Sequence, residues 1–430
     1  MNNLLYALQP VERLGVIEQC IGLKLMSSGP PKVFIGEICD IIDDKDTIVM
    51  QAEVVGFEHG NVFLLPFSIA PISMGFKVRA TGQAMSIAVG PELLGRIVNA
   101  FGQPLDEGLR IRCSTQVPLY QSQINPLHRE AIHERLNTGI HVIDTVLPLG
   151  KGQRVGLFAG SGVGKSMLLG MMANHMNSDI NVIALIGERG REVNDFIRNH
   201  LDEQTIKKSV LVVSCSDDFA LMRKQAVYTA TAIAEYFCAQ GRDVMLFMDS
   251  ITRFAMAQRE IGLSLGEPPT ARGYTPTVFS TLPGIVERAG NFKGKGSITA
   301  LYTVLVEGDD FNEPIADTMR SLLDGHLVLT RELAHRGHYP AVDVLQSVSR
   351  LSQQLTTIEE QQLIKQVIAM LSLYHQNKDL IDLGAYKAGH NHALDLAVSR
   401  IDAVQNLLKQ RIDESMHAQQ LFQQLKEIVQ

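Results

Sequence analysis

The chain has 430 residues, 45% of them hydrophobic and 20% charged, with a formal net charge of −7. That is the make-up of a globular protein of two or three domains with ample length for a large core, and it argues against a general binder of polyanions. No uncharged apolar run approaches the length of a bilayer span, so membrane association would have to come through partners. The five cysteines (Cys20, Cys39, Cys113, Cys215, Cys238) are scattered and include no Cys-x-x-Cys pair, which predicts reduced thiols in a cytoplasmic protein. Glu12 and Glu18 interrupt the N-terminus, where no basic segment precedes an apolar one, so no signal peptide is expected.

Residues 1–25 are expected to form a partly helical arm, from the spacing of Leu4, Leu5, Leu8 and Val11. From 26 to 83 the pattern turns to short β-type runs, such as Val33-Phe-Ile-Gly and Asn61-Val-Phe-Leu-Leu, whose spacing predicts a small β-barrel. Barrels of this kind can stack single-stranded nucleic acid on aromatic side chains, here Phe34, Phe57, Phe63, Phe67 and Phe76. Residues 1–83 hold six Lys/Arg against nine Asp/Glu, however, so the module is acidic and the aromatics are expected in its core.

Between 84 and 350 strand-like and helix-like segments alternate. The expected strands are 154–159, 181–186, 210–214, 243–248, 298–306 and 326–329, mostly continuous apolar runs suited to a parallel sheet covered on both faces. The first runs into Ala159-Gly-Ser-Gly-Val-Gly-Lys165-Ser166 and then into the helix-forming Met167-Leu-Leu-Gly-Met-Met-Ala. Strand, glycine-rich loop and helix in that order form a phosphate loop. Its backbone N–H groups converge on phosphate oxygens, assisted by the helix N-terminus. Ala159, Gly160, Ser161, Gly162, Val163 and Gly164 would wrap the phosphates, Lys165 would reach the β/γ-phosphates, and the Ser166 hydroxyl would ligate Mg²⁺. Ala159 occupies a position where the motif usually has glycine.

Two further strands end in charge. Val182-Ile-Ala-Leu-Ile-Gly closes on Glu188-Arg189-Gly-Arg191-Glu192, at the sheet edge where α/β proteins bind ligands. Glu188 is the candidate to orient and deprotonate a water attacking the γ-phosphate, and Arg189 is grouped with it as catalytic. Val244-Met-Leu-Phe-Met248 closes on Asp249, the candidate metal carboxylate. Arg253, one turn beyond, is suited equally to the phosphates and to a surface ion pair. Arg350 ends the run Ala341-Val-Asp-Val-Leu-Gln-Ser-Val-Ser-Arg, where spacing alone fits either a structural pair or an arginine finger. Beyond it, residues 351–430 read as a helical domain. Leu394, Val398, Ile401, Val404, Leu408, Ile412 and Met416 form one apolar stripe, and Leu383-Gly-Ala-Tyr-Lys-Ala-Gly389 splits the tail into two helical stretches.

The segments Ile186-Gly-Glu-Arg-Gly-Arg-Glu-Val, Asp249-Ser-Ile-Thr-Arg-Phe-Ala, Gly266-Glu-Pro-Pro-Thr-Ala-Arg-Gly-Tyr-Thr-Pro and Asp324-Gly-His resemble the ATPases of type III protein export, flagellar and virulence-associated, which are relatives of the catalytic subunits of rotary ATP synthases. The resemblance runs from about residue 30 to the C-terminus. Asp309-Asp310 and Gly337-His-Tyr-Pro340 look closer to the flagellar branch. It implies an α/β, RecA-like P-loop ATPase core between an N-terminal β-barrel and a C-terminal helical domain. It also implies a homohexameric ring with ATP and Mg²⁺ at subunit interfaces. Within that family Glu188 matches the general base and Arg350 a finger supplied in trans. Tyr339-Pro340 matches the segment packed on adenine, Tyr386 lies in a loop that would cover its other side, and the loop Gly262–Pro276 matches one facing the pore. Implied partners are a stator-like regulatory protein, a central-stalk protein, export-gate membrane proteins and chaperone–substrate complexes, with the ATPase cytoplasmic and peripheral at the inner-membrane export apparatus. The short arm matches poorly where the regulator would dock. Two alternatives come from other classes. The first, an RNA translocase similar to the termination factor Rho, is opposed by the acidic barrel. The second, a non-catalytic nucleotide-binding subunit of a rotary machine, is opposed by the presence of Lys165, Glu188 and Asp249 together.

Overall fold

A computed structural model describes residues 13–68, 70–121, 124–306, 308 and 310–429. Six antiparallel strands close a barrel in the order Gly15–Ile21, Lys24–Ser27, Asn61–Pro66, Ile48–Glu58, Glu37–Ile42 and Lys77–Ala84, the last pairing with the first. Closure removes the unpaired edges that such short strands would otherwise expose. The barrel therefore begins within the stretch assigned to the arm: residues 15–21 and 24–27 are wall strands. The leucine-spaced residues Leu4, Leu5, Leu8 and Val11 lie outside the described residues.

The aromatic assignment in the barrel is corrected in part. The interior is aliphatic, filled by Ile17, Leu25, Cys39, Ile41, Met50, Ala52, Val54, Val62, Leu64 and Val78. Only Phe67 is buried, Phe63 and Phe76 are half-buried, and Phe34 and Phe57 are exposed. A six-stranded barrel is narrow, so γ- and β-branched side chains fill it and rings are left to its outer surface. The barrel is tied to the next domain through buried Glu53, which accepts from Gln225 Nε2 at 2.8 Å and Tyr120 Oη at 3.2 Å.

The central sheet runs, edge to edge, Val348–Ser349, Gly325–Leu329, Arg154–Ala159, Ser297–Leu305, Val244–Asp249, Ile180–Glu188, Ser209–Cys215 and Arg96–Val98. All neighbours are parallel except Val348–Ser349, which is antiparallel. Each expected strand is present with its ends within two residues. Both faces are covered: along Ile180–Glu188, Val182, Ala184 and Ile186 belong to one core while Ile183 and Leu185 belong to the other. That two-sided burial is why the strands read as unbroken apolar runs. Parallel alignment also brings the C-terminal ends of Arg154–Ala159, Ile180–Glu188 and Val244–Asp249 to one edge, where α/β sheets bind ligands.

The tail differs from expectation. Among the described residues it holds one short helix, Ser352–Leu355, and three long ones, Ile358–Asp382, His392–Leu408 and Ala418–Val429, where two helical stretches were expected. The first starts on a reciprocal cap between Thr357 and Glu360. The break at Leu383–Gly389 is as expected, but the apolar stripe does not continue through one helix. The chain turns extended at Lys409, so Ile412 and Met416 fall in a connecting segment. Gln410 causes the break by docking on the nucleotide-binding core, its N–H donating to Tyr339 O at 2.9 Å.

Candidate active site

The phosphate loop leaves the sheet at Ala159, which is still paired with Leu305 and Leu329. A residue in strand conformation needs no glycine, which accounts for the departure from the motif at that position. Gly162 (φ 78°) and Gly164 (φ 90°) take the left-handed conformations. Gly164 caps the helix Lys165–His175, and a Cβ there would lie 3.4 Å from the Tyr339 ring. Buried Val163 anchors the loop between them.

Lys165 Nζ lies 2.6 Å from Asp249 Oδ1 and 3.1 Å from Glu188 Oε1. Burial opposes the lysine's charge, but the two carboxylates outweigh it and raise its pKa above the ordinary lysine value. Glu188 is brought inward by an irregularity at Gly187 (φ 70°), after which it pairs with Cys215. Burial raises the Glu188 pKa, Lys165 opposes and Asp249 reinforces, leaving it above the usual carboxylate value. A cavity of about 120 Å³ is lined by Ser166, Glu188, Glu192 and Asp249. Ser166 and Asp249 therefore share one pocket, a hydroxyl and a carboxylate of the hard-oxygen type that Mg²⁺ prefers. Among the described residues no group of three or more His, Cys, Asp or Glu is placed to hold a metal ion.

A second cavity, the one that Tyr339-Pro340 was expected to line, also borders Gly164. Its volume is about 200 Å³, and it is walled by Met167, Met171, Leu329, Tyr339, Pro340 and the segment 410–412. It is almost wholly apolar, as a purine face requires. Tyr386 does not line it. Its hydroxyl is bonded to Asp395 inside the helical tail, and Arg411 with Ile412 occupies the side of the cavity assigned to it.

The arginines are dispersed. Arg189 is exposed and pairs with Glu192 at 3.4 Å, outside the lysine–carboxylate cluster. Arg253 packs its stem on Gly187, where an added Cβ would come within 2.9 Å, and it forms no ion pair among the described residues. The surface-pair alternative for Arg253 is therefore not what the structure contains. Arg350 is exposed, and its Nη2 donates to Arg320 O at 3.1 Å. Its backbone N–H donates to Asp324 O, and the Asp324 carboxylate grips Arg154 at 2.9 Å and 3.0 Å. Arg350 thus sits level with Arg154, at the start of strand Arg154–Ala159 and about 16 Å along the strand from the phosphate loop. A guanidinium there cannot meet the phosphates of its own protomer.

Two contributors escaped the sequence reading. Thr303 donates its hydroxyl to Asp249 Oδ1 at 2.6 Å, and a polar residue inside the apolar run Ala300–Leu305 was the available signal. The segment Gln410–Ile412 carried none, because its role depends on the tail folding back.

Residues 139–349 match the ATP synthase alpha/beta family, nucleotide-binding domain, and residues 356–427 match the T3SS EscN ATPase C-terminal domain. The chain is 49% identical to the flagellum-specific ATP synthase of Bacillus subtilis, covering 94% of this chain and 92% of that one. It is 43% identical to the type 3 secretion system ATPase of Xanthomonas euvesicatoria, covering 94% and 91%. The assembled ATPase EscN of the enteropathogenic E. coli type III secretion system superposes with a TM-score of 0.92 at 41% identity, over 97% of this chain and 100% of that one. A second structure, EscN with its central stalk EscO, gives a TM-score of 0.89 at 40% identity, over the same shares.

Proposed function

The chain belongs to the ATP synthase alpha/beta family, in the branch of flagellar and type III secretion ATPases, and from that premise we propose that it works as a homohexameric ring hydrolysing Mg·ATP to drive protein export. The observation that supports the reading is the distance between the lysine–carboxylate cluster and an exposed arginine. Lys165, Glu188 and Asp249 meet at one end of the sheet, and Arg350 projects from the other.

In this scheme Lys165 exchanges its carboxylate partners for the β/γ-phosphates. Ser166 and Asp249 would hold Mg²⁺, which would supply charge neutralisation at the phosphate oxygens. Glu188, with its pKa raised, is suited to take a proton from the attacking water. Arg350 completes the site of the adjacent copy, where it faces the terminal phosphoryl group. The partners that fit are those of the branch: a central stalk like the one solved with EscN, a stator-like regulator, export-gate membrane proteins and chaperone–substrate complexes. No helix among the described residues is long and apolar enough to cross a membrane, so placement at the inner-membrane export apparatus would run through such partners. The acidic barrel disfavours the RNA-translocase alternative, and the intact lysine–carboxylate cluster disfavours a non-catalytic subunit.

The test is complementation. Arg350→Ala and Lys165→Ala each lower turnover, Arg350→Ala by on the order of 10³–10⁵-fold. Mixing the two inactive proteins restores part of it, because a Lys165→Ala copy still lends its arginine to a neighbour with an intact lysine. Normal hydrolysis by Arg350→Ala alone would refute the shared site.

A further inference from the structure

The strand Ser297–Leu305 lies between the phosphate-loop strand and the strand ending in Asp249, so it touches both halves of the phosphate site. Thr303 pairs with Leu157 on one side, and the Met248–Tyr302 register sets it beside Asp249 on the other. It is fully buried. Its single hydroxyl proton goes to Asp249 Oδ1 at 2.6 Å, with Met248 O farther away at 3.4 Å. Lys165 Nζ binds that same Oδ1, also at 2.6 Å. The Asp249 side chain is only 5% exposed, and within the sheet the buried Thr303 hydroxyl is the partner of Oδ1 that stays in place when the lysine departs.

We propose that Thr303 is a positioning residue that allows Lys165 to change partners. Without nucleotide, Oδ1 is satisfied twice. When Lys165 swings to an incoming phosphate, the threonine hydroxyl keeps Oδ1 bonded and fixes the rotamer of Asp249, turning its second oxygen toward the pocket shared with Ser166. A residue of the same shape without the hydroxyl leaves a buried carboxylate oxygen bare each time the lysine departs, so the lysine is retained and ATP is resisted. The inference rests on Lys165 meeting phosphate, as in the function proposed above.

The experiment measures equilibrium binding of a fluorescent ATP analogue to the full chain, in EDTA and in Mg²⁺, with folding checked by circular dichroism. Thr303→Val and Thr303→Ala are expected to weaken binding about tenfold, about 1.4 kcal/mol. Thr303→Ser should stay within about twofold of the parent. On a Lys165→Ala background the Thr303→Val effect should vanish, since no lysine is left to release. The inference falls if Thr303→Val binds as the parent does. It falls equally if Thr303→Ser is as weak as Thr303→Val, if Val and Ala disagree, if both unfold, or if the effect survives without Lys165. Unchanged binding by Lys165→Ala itself would instead sink the phosphate-site reading, whatever Thr303 does.

Discussion

The two ends of the nucleotide cleft are built by different means. The phosphate end comes from three neighbouring strands of one sheet and is dense with charge, with Lys165, Glu188, Asp249 and Thr303 joined by bonds of 2.6–3.1 Å. The base end is apolar and is assembled across a domain junction, from the phosphate-loop helix, the Tyr339-Pro340 turn and a segment of the helical tail. On the proposed function, chemistry is concentrated at the sheet edge, whereas nucleotide retention is shared with the helical tail, whose Leu363, Val367 and Val404 pack in the same core as Val155 and Leu157 of the sheet. Substitutions at the two ends should have distinct kinetic signatures.

The largest effect is expected at the phosphate end. Glu188→Gln should lower kcat by on the order of 10²–10⁴-fold while ATP still binds, as seen in steady-state turnover alongside direct binding. The same residue sets a pH signature. Because burial and Asp249 raise its pKa, its proton-accepting form is lost as pH falls through a value above the ordinary carboxylate range. The acid limb of kcat/KM should sit correspondingly high, and a limb at the ordinary carboxylate value would remove Glu188 from the role of base. At the other end, Tyr339→Ala should weaken adenine nucleotides by about 1–3 kcal/mol with kcat nearly unchanged, read from KM and from ADP binding. A matching loss of kcat would mean that the two ends are not separable.

The smallest effect tests the junction. Gln410 is buried, its Oε1 accepts from His141 N at 3.0 Å and its Nε2 donates to Gly139 O at 2.6 Å. Gln410→Ala strips both and should reduce stability by about 1–3 kcal/mol in chemical denaturation, with only a modest rise in KM. An unchanged denaturation profile would show that the tail is held by its apolar contacts alone.

Legibility in the sequence followed the same division. Lys165, Glu188 and Asp249 could be named because each lies where a continuous apolar strand gives way to a charged or glycine-rich turn, a local pattern that parallel topology carries to one edge. Strand positions were legible for the same reason. The apolar cavity was legible only in part: Tyr339-Pro340 was marked by resemblance, but Ile412 sits on what looks like a continuing helical stripe and reaches the cavity only because the chain leaves the helix at Lys409 and docks through Gln410. Tyr386 shows the opposite error. A position suggested by resemblance is engaged by Asp395 within its own domain. The barrel strand Gly15–Ile21 was hidden by the leucine spacing of the preceding residues, a helical period that masked the switch to period two.

The bond from Gln410 N–H to Tyr339 O has a mechanical meaning. It ties the tail to one wall of the apolar cavity beside Gly164. With the nucleobase in that cavity, as the proposed function has it, load on the helices would slacken or tighten the hold on fuel, and departure of spent nucleotide would in return free the helices, since such coupling is reciprocal.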